Sequence, residues 1–182
     1  TGMADYERAV ATEKAVLFDK LFAELPRREA VVVELGMGSF PNAPYYAGRS
    51  TATKLDLIGV DPNDSMEKYA RRSAEKAELL ESGVVSSLRV VHGVAEALPL
   101  PSASADAVIC TLTLCSVVDQ ERALAEVRRI LKPGGKFLSH AHVLSETDDS
   151  LASQQRAATP MQVAVADGCH LDRRTLEAVR HA

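Results

Sequence analysis

The chain has 182 residues and a net charge of -4, enough length to bury a core and no basic footprint for a nucleic-acid backbone. It holds no run of about 18 apolar residues, so no spanning helix is expected. Its three cysteines, Cys110, Cys115 and Cys169, are odd in number and lack a C-x-x-C spacing. Free thiols in a reducing, cytoplasmic compartment are therefore expected, with no metal motif.

Thr1-Gly2 reads as an addition ahead of a natural start at Met3, and no signal peptide follows it. Residues 5–25 place Tyr6, Val10, Leu17, Leu21 and Leu25 at helical spacing, which predicts an amphipathic helix. Residues 30–35 and 55–60 read as short buried strands. Asn63-Asp64-Ser65 caps a helix through about Glu81, stopped by Gly83. Residues 88–91 and 106–112 are again apolar and β-rich. A helix from Asp119 turns Leu124, Val127 and Leu131 inward, and Lys132-Pro-Gly-Gly135 ends it before a strand over 136–143.

Ser145 to Thr159 reads as a polar linker or lid, and Asp172 to Ala182 as a last helix. Strands alternating with helices imply an α/β, doubly wound, mostly parallel sheet in one domain over 1–182, without the further strands such a sheet often carries.

The stretch Val31-Val-Val-Glu-Leu-Gly-Met-Gly38 joins a buried strand to a tight turn whose backbone can approach a ligand. Asp61-Pro62 ends the neighbouring strand, where a carboxylate can accept both vicinal hydroxyls of a ribose. A dinucleotide needs G-x-G-x-x-G, and Pro41 occupies the third glycine position. S-adenosylmethionine has no phosphate and does not need that glycine, so it is the expected cofactor. Glu34 can then orient the turn and lie near the sulfonium or the ammonium. Backbone groups of Ala95 and the acid of Glu96 can read the adenine edge, and Thr111-Leu112 can pack beneath the cofactor.

Taken in order, these segments resemble the class I S-adenosylmethionine-dependent methyltransferases of Rossmann-like fold, over roughly residues 28–145. A narrower likeness lies in Cys110-Thr-Leu-Thr-Leu-Cys-Ser-Val117, Gln120-Glu-Arg122, Glu126-Val127, Arg129, Leu131 and Pro133-Gly-Gly135. His142-Val143, Asp167-Gly-Cys169, Leu171, Arg173 and Thr175 continue it. This pattern is similar to the methyltransferase-like alkyl thiol S-methyltransferases, relatives of the quinone-biosynthesis methylases. The chain departs from that family at Phe40, where a third glycine is usual, and at Ala141, where an acid is usual. Many members of that family begin with a hydrophobic membrane anchor, and none is expected here. The resemblance implies a lipophilic thiol acceptor and peripheral membrane association. A quinone-type C- or O-methyltransferase and a non-catalytic cofactor-binding protein are the competing readings.

Methyl transfer from a sulfonium asks mainly for alignment and water exclusion, but a thiol acceptor must lose its proton. His142, near the end of the fifth strand, is the expected general base. His140 and His170 are further candidates, His92 reads as structural, and Cys115 reads as a buried small hydrophobe without a paired base. Tyr6 and Phe18 would contact the acceptor if the first helix acts as a substrate lid. Tyr45 and Tyr46 would either touch the methionine tail or pack. The sequence assigns no oligomeric state.

Overall fold

A computed structural model describes residues 2–47 and 53–182. Thr1, part of the expected addition, lies outside them. Five strands, β1 (Ala30–Leu35), β2 (Leu55–Asp61), β3 (Val85–His92), β4 (Ala105–Thr111) and β5 (Leu131–His140), pair in parallel in the order β3-β2-β1-β4-β5. The expected doubly wound α/β fold is present. Strand order reverses between β1 and β4, which opens a crevice beyond their carboxyl ends.

The helices are α1 (Gly2–Ala23), α2 (Ala43–Tyr46), α3 (Glu67–Lys76), α4 (Gln120–Ile130), α5 (Asp149–Val165) and α6 (Thr175–His181). Strand side chains alternate between two apolar layers. Val32, Leu57, Ala107 and Ile109 face Phe18 and Leu21 of α1 and Ala70 and Ala74 of α3. Val33, Leu35, Val108 and Cys110 face Leu124 and Val127 of α4. The central strands are buried on both faces, which is why β1 and β4 are mostly apolar, interrupted by Glu34 in one and Asp106 in the other.

Several expectations change. The helix after β2 begins as a 3-10 turn, Asp64–Met66, under the Asn63 cap, and α3 ends at Lys76 rather than Glu81. Glu78 adopts a left-handed φ of 52° just beyond, which no helix continues through. Leu131 is the first residue of β5, not an inward helix position, because α4 closes at Ile130. Lys132-Pro-Gly-Gly135 is a bulge in β5: the partners step from Ala105↔Leu131 to Ala107↔Lys136.

The expected linker is largely the helix α5. Asp148 caps it by accepting Leu151 N–H at 2.9 Å, and its Leu, Ala, Gln and Arg residues are good helix formers despite their polarity. Ala152 and Thr159 are buried, and Gln155 ties the helix back to Ser145 N–H and Val143 C=O. Lastly, Phe18 is not an acceptor contact: it is fully buried, with ring centroids 5.1 Å from Tyr45 and 5.5 Å from Tyr46.

Candidate functional site

The turn after β1 is built on alternating left-handed residues: Gly36 (φ 62°), Gly38 (φ 54°) and Phe40 (φ 60°). It lies across β2, with Gly36 N–H donating to Val60 C=O at 2.8 Å. Phe40 therefore occupies a conformation natural to the usual glycine. The cost of about 1–2 kcal/mol is offset by burial of the whole ring, worth about 1.5–3 kcal/mol. That ring packs 5.4 Å from the ring of Tyr46.

Gly36 cannot carry a side chain here. A Cβ on it would stand 2.3 Å from Thr113 Oγ1, the hydroxyl that donates to Leu35 C=O at 2.9 Å. Gly36→Ala is expected to cost about 2 kcal/mol in urea unfolding, with part of the loss recovered when Thr113→Ala removes the two nearest atoms. Equal stability of Gly36→Ala and the parent would show that the approach of the two loops is loose. Gly38 differs: a Cβ there would meet nothing nearer than Gly36 O at 3.9 Å, so the turn is open above it.

Asp61 is buried at the end of β2, and Pro62 beside it is exposed. Its carboxylate accepts Gly38 N–H at 2.8 Å and Asn63 N–H at 2.9 Å. Each oxygen keeps lone-pair capacity for a further donor.

Glu34 shares the parity of Val32 and so points into the layer under α1 and α2. There it accepts Tyr46 O–H at 2.6 Å and Asn42 Nδ2–H at 2.9 Å. Burial raises its pKa to about 7 against the opposing effect of those two donors. Asn42 also donates to Thr111 Oγ1 at 2.8 Å, tying β1 to the end of β4, while its buried Oδ1 has no partner. Asn42 carries no motif; only the fold brings it to Glu34 and Thr111.

Ala95 is buried, and the Glu96 carboxylate accepts Val118 N–H at 2.7 Å and Asp119 N–H at 3.2 Å. Glu96 thus braces the entry to α4. Leu112 is left-handed (φ 56°) and donates its N–H to His140 C=O at 2.7 Å, holding the ends of β4 and β5 together. An open groove of about 520 Å³ is lined by Phe40, Pro41, Pro44, Ala47, Ser73 and Lys76; neither Gly38 nor Asp61 lines it.

Beyond β4 and β5 the fold gathers residues that are far apart in sequence. The ligand atoms of Cys115, His142 and Cys169 all lie within 4.8 Å of one another, with His142 Nδ1 3.2 Å from Cys169 Sγ. Cys115 is therefore not the isolated hydrophobe expected from its apolar run. Burial pushes its thiol up, but hydrogen bonding with His142 and Cys169 outweighs this and brings it below the usual range. Burial, then Cys115, lifts Cys169 to about 11.

The Tyr6 ring of α1 meets the His142 ring edge-on at 5.5 Å, so that end of α1 packs against His142. His140 lies 6.4 Å from the same ring, and its Nδ1 is buried without a partner. His170 contributes its backbone N–H to Cys115 C=O at 2.8 Å, and His92 pairs with Asp64 at 2.6 Å.

A methyltransferase domain family matches residues 33–139. Thiol S-methyltransferase TMT1A of Homo sapiens is 35% identical over 181 residues, covering 97% of this chain and 69% of that protein. The crystal structure of the YcgJ protein of Bacillus subtilis superposes with a TM-score of 0.67 at 27% identity, covering 88% of this chain and 63% of that one. A SAM-dependent methyltransferase of Thermotoga maritima (TM-score 0.61, 24% identity, 98% and 76% covered) shares the fold. The chain spans 58–69% of the length of the thiol S-methyltransferases it matches. Among the described residues no helix is long and apolar enough to cross a membrane. With an all-parallel sheet, a glycine turn at its switch point and these likenesses, the chain belongs to the S-adenosylmethionine-dependent methyltransferase family.

Proposed function

We propose that the chain, as one domain over 1–182, transfers a methyl group from S-adenosylmethionine to a small lipophilic thiol. The observation that carries this is one juxtaposition. The loop after β4 presses Thr113 against Gly36 of the cofactor turn and, two residues on, presents Cys115 to His142 and Cys169. The likeness to a thiol S-methyltransferase over nearly the whole chain supports the acceptor class. The three free thiols support a reducing, cytoplasmic compartment.

The residues present fit the cofactor. Space is open above Gly38, and Asp61 retains acceptor capacity for two ribose hydroxyls. Bound there, S-adenosylmethionine supplies a methyl group activated by its cationic sulfur. Gly36 and Gly38 let the backbone come close, and Asp61 sets the orientation. Glu34 holds α2, and with it Asn42 and Thr111, beneath the turn. Ala95, Glu96 and Leu112 shape the rest of the pocket. At the acceptor side His142 assists ionisation of the incoming thiol, and Tyr6 covers the methyl transfer that follows.

Transfer of a labelled methyl group to alkyl thiols, quinols and phenols tests the proposal. Labelled thioether is expected with the thiols. Label in quinols alone would move the acceptor to the quinone class, and none with any acceptor would leave a cofactor-binding protein. Calorimetry is expected to show binding of S-adenosylmethionine and no binding of a nicotinamide dinucleotide.

A further inference from the structure

We propose that Cys115, His142 and Cys169 form a binding site for a thiophilic cation, zinc by ligand type, whose fourth position receives the acceptor as its thiolate. This deepens the thiol reading above and rests on it for the acceptor.

Two sulfurs and one imidazole nitrogen make a soft ligand set without a carboxylate, which suits zinc and excludes magnesium or calcium. Three protein ligands with an open fourth position is the arrangement of catalytic rather than structural zinc. The geometry is close to closed. Zinc bonds of about 2.3 Å to sulfur and about 2.0–2.1 Å to nitrogen put tetrahedral ligands about 3.5–3.8 Å apart. The three ligand atoms lie within 4.8 Å, and the His142–Cys169 pair is at 3.2 Å.

The loops that carry the ligands are also fixed to one another. Arg173 Nη1 donates to Leu114 C=O at 3.0 Å and Val117 C=O at 2.6 Å, on either side of Cys115. Gln120 donates to Leu114 C=O at 2.8 Å, and His170 N–H to Cys115 C=O at 2.8 Å, which fastens the Cys169 loop to the Cys115 loop. Leu144 N–H donates to Arg173 C=O at 2.9 Å and holds the segment that bears His142. A simple apolar filler does not need this bracing; a preorganised ligand set does.

Cys115 and Cys169 are buried, whereas His142 is partly exposed, so the open position faces the His142 side, under Tyr6. There the acceptor thiol gives its proton to water as its sulfur binds the cation. The thiolate electron pair forms the new S–CH3 bond, and the broken C–S bond leaves its pair on the sulfur of the donor. The thioether product carries no charge and binds the cation more weakly, which releases it. In this arrangement His142 assists ionisation as a ligand.

The test uses the full chain, purified under reducing conditions and loaded with zinc or cobalt(II). One zinc per chain is expected by elemental analysis, and cobalt should give thiolate charge-transfer and tetrahedral ligand-field bands. Cys115→Ser and Cys169→Ser should each weaken zinc by at least about 100-fold, beyond a change in an outer-shell partner. Cys110→Ala, outside the cluster, should keep the metal. Zinc removal should cut thiol methylation at least about tenfold while calorimetric affinity for S-adenosylmethionine stays. No metal in the parent chain, or a Cys115–Cys169 disulfide in its place, overturns the site. Metal bound with methylation indifferent to it overturns the acceptor role. Failure to bind S-adenosylmethionine overturns the methyltransferase reading instead, and the cobalt spectrum reports the cluster independently of it.

Discussion

Asp61→Ala is expected to lower affinity for S-adenosylmethionine by at least about 100-fold, measured by calorimetry. Hydrogen bonds to a charged group contribute about 1.5–3 kcal/mol each, and two to the ribose hydroxyls sum to about 3–6 kcal/mol, or at least two decades in Kd. The carboxylate also organises the turn through Gly38 N–H and Asn63 N–H. Part of the loss will therefore come from a looser turn. Asp61→Asn separates the two, since its amide oxygen still accepts one backbone N–H while its amide nitrogen cannot accept a hydroxyl. An affinity for Asp61→Ala within threefold of the parent would remove Asp61 from the ribose role.

The second large effect concerns pH. Burial raises Glu34 from its ordinary 4.5 to about 7, so between those values the folded chain binds a proton that the unfolded chain has released. The stability this group contributes is complete below pH 4.5 and is lost as pH rises through 7. The gap amounts to roughly 3 kcal/mol at 1.36 kcal/mol per unit. Urea unfolding between pH 5 and pH 8 should show the parent losing about that much more stability than Glu34→Gln. Parallel pH curves for the two chains would mean that Tyr46 and Asn42 hold the ionised carboxylate without penalty.

Much of the frame was legible in the chain itself. Strands β1, β2 and β4 announce themselves because both faces are buried, which demands mostly β-branched and apolar residues. Asp119 marks the start of α4 because its carboxylate accepts Arg122 N–H at 3.0 Å. Helix α5 was hidden for the opposite reason. Its packing rests on the small residues Ala152 and Thr159, so its polar exposed face looks like a linker.

Glu34 shows where local reading stops. Its place after three β-branched residues identifies the turn, but the pleat sends its carboxylate toward Tyr46 and Asn42 rather than along the strand axis. Glu96 likewise stands in the expected segment, with its carboxylate committed to Val118 and Asp119.

The sequence by itself determined the sheet, the glycine turn and the acid at the end of β2. These depend on periodicity and backbone freedom within a few consecutive residues. The tertiary structure alone decided what surrounds them. Cys115, His142 and Cys169 come from three loops and meet only because parallel pairing brings the carboxyl ends of β4 and β5 together. The loop that follows α5 then folds back over those ends. No local spacing encodes that meeting, because the distances that make it are set by strand register and loop bracing.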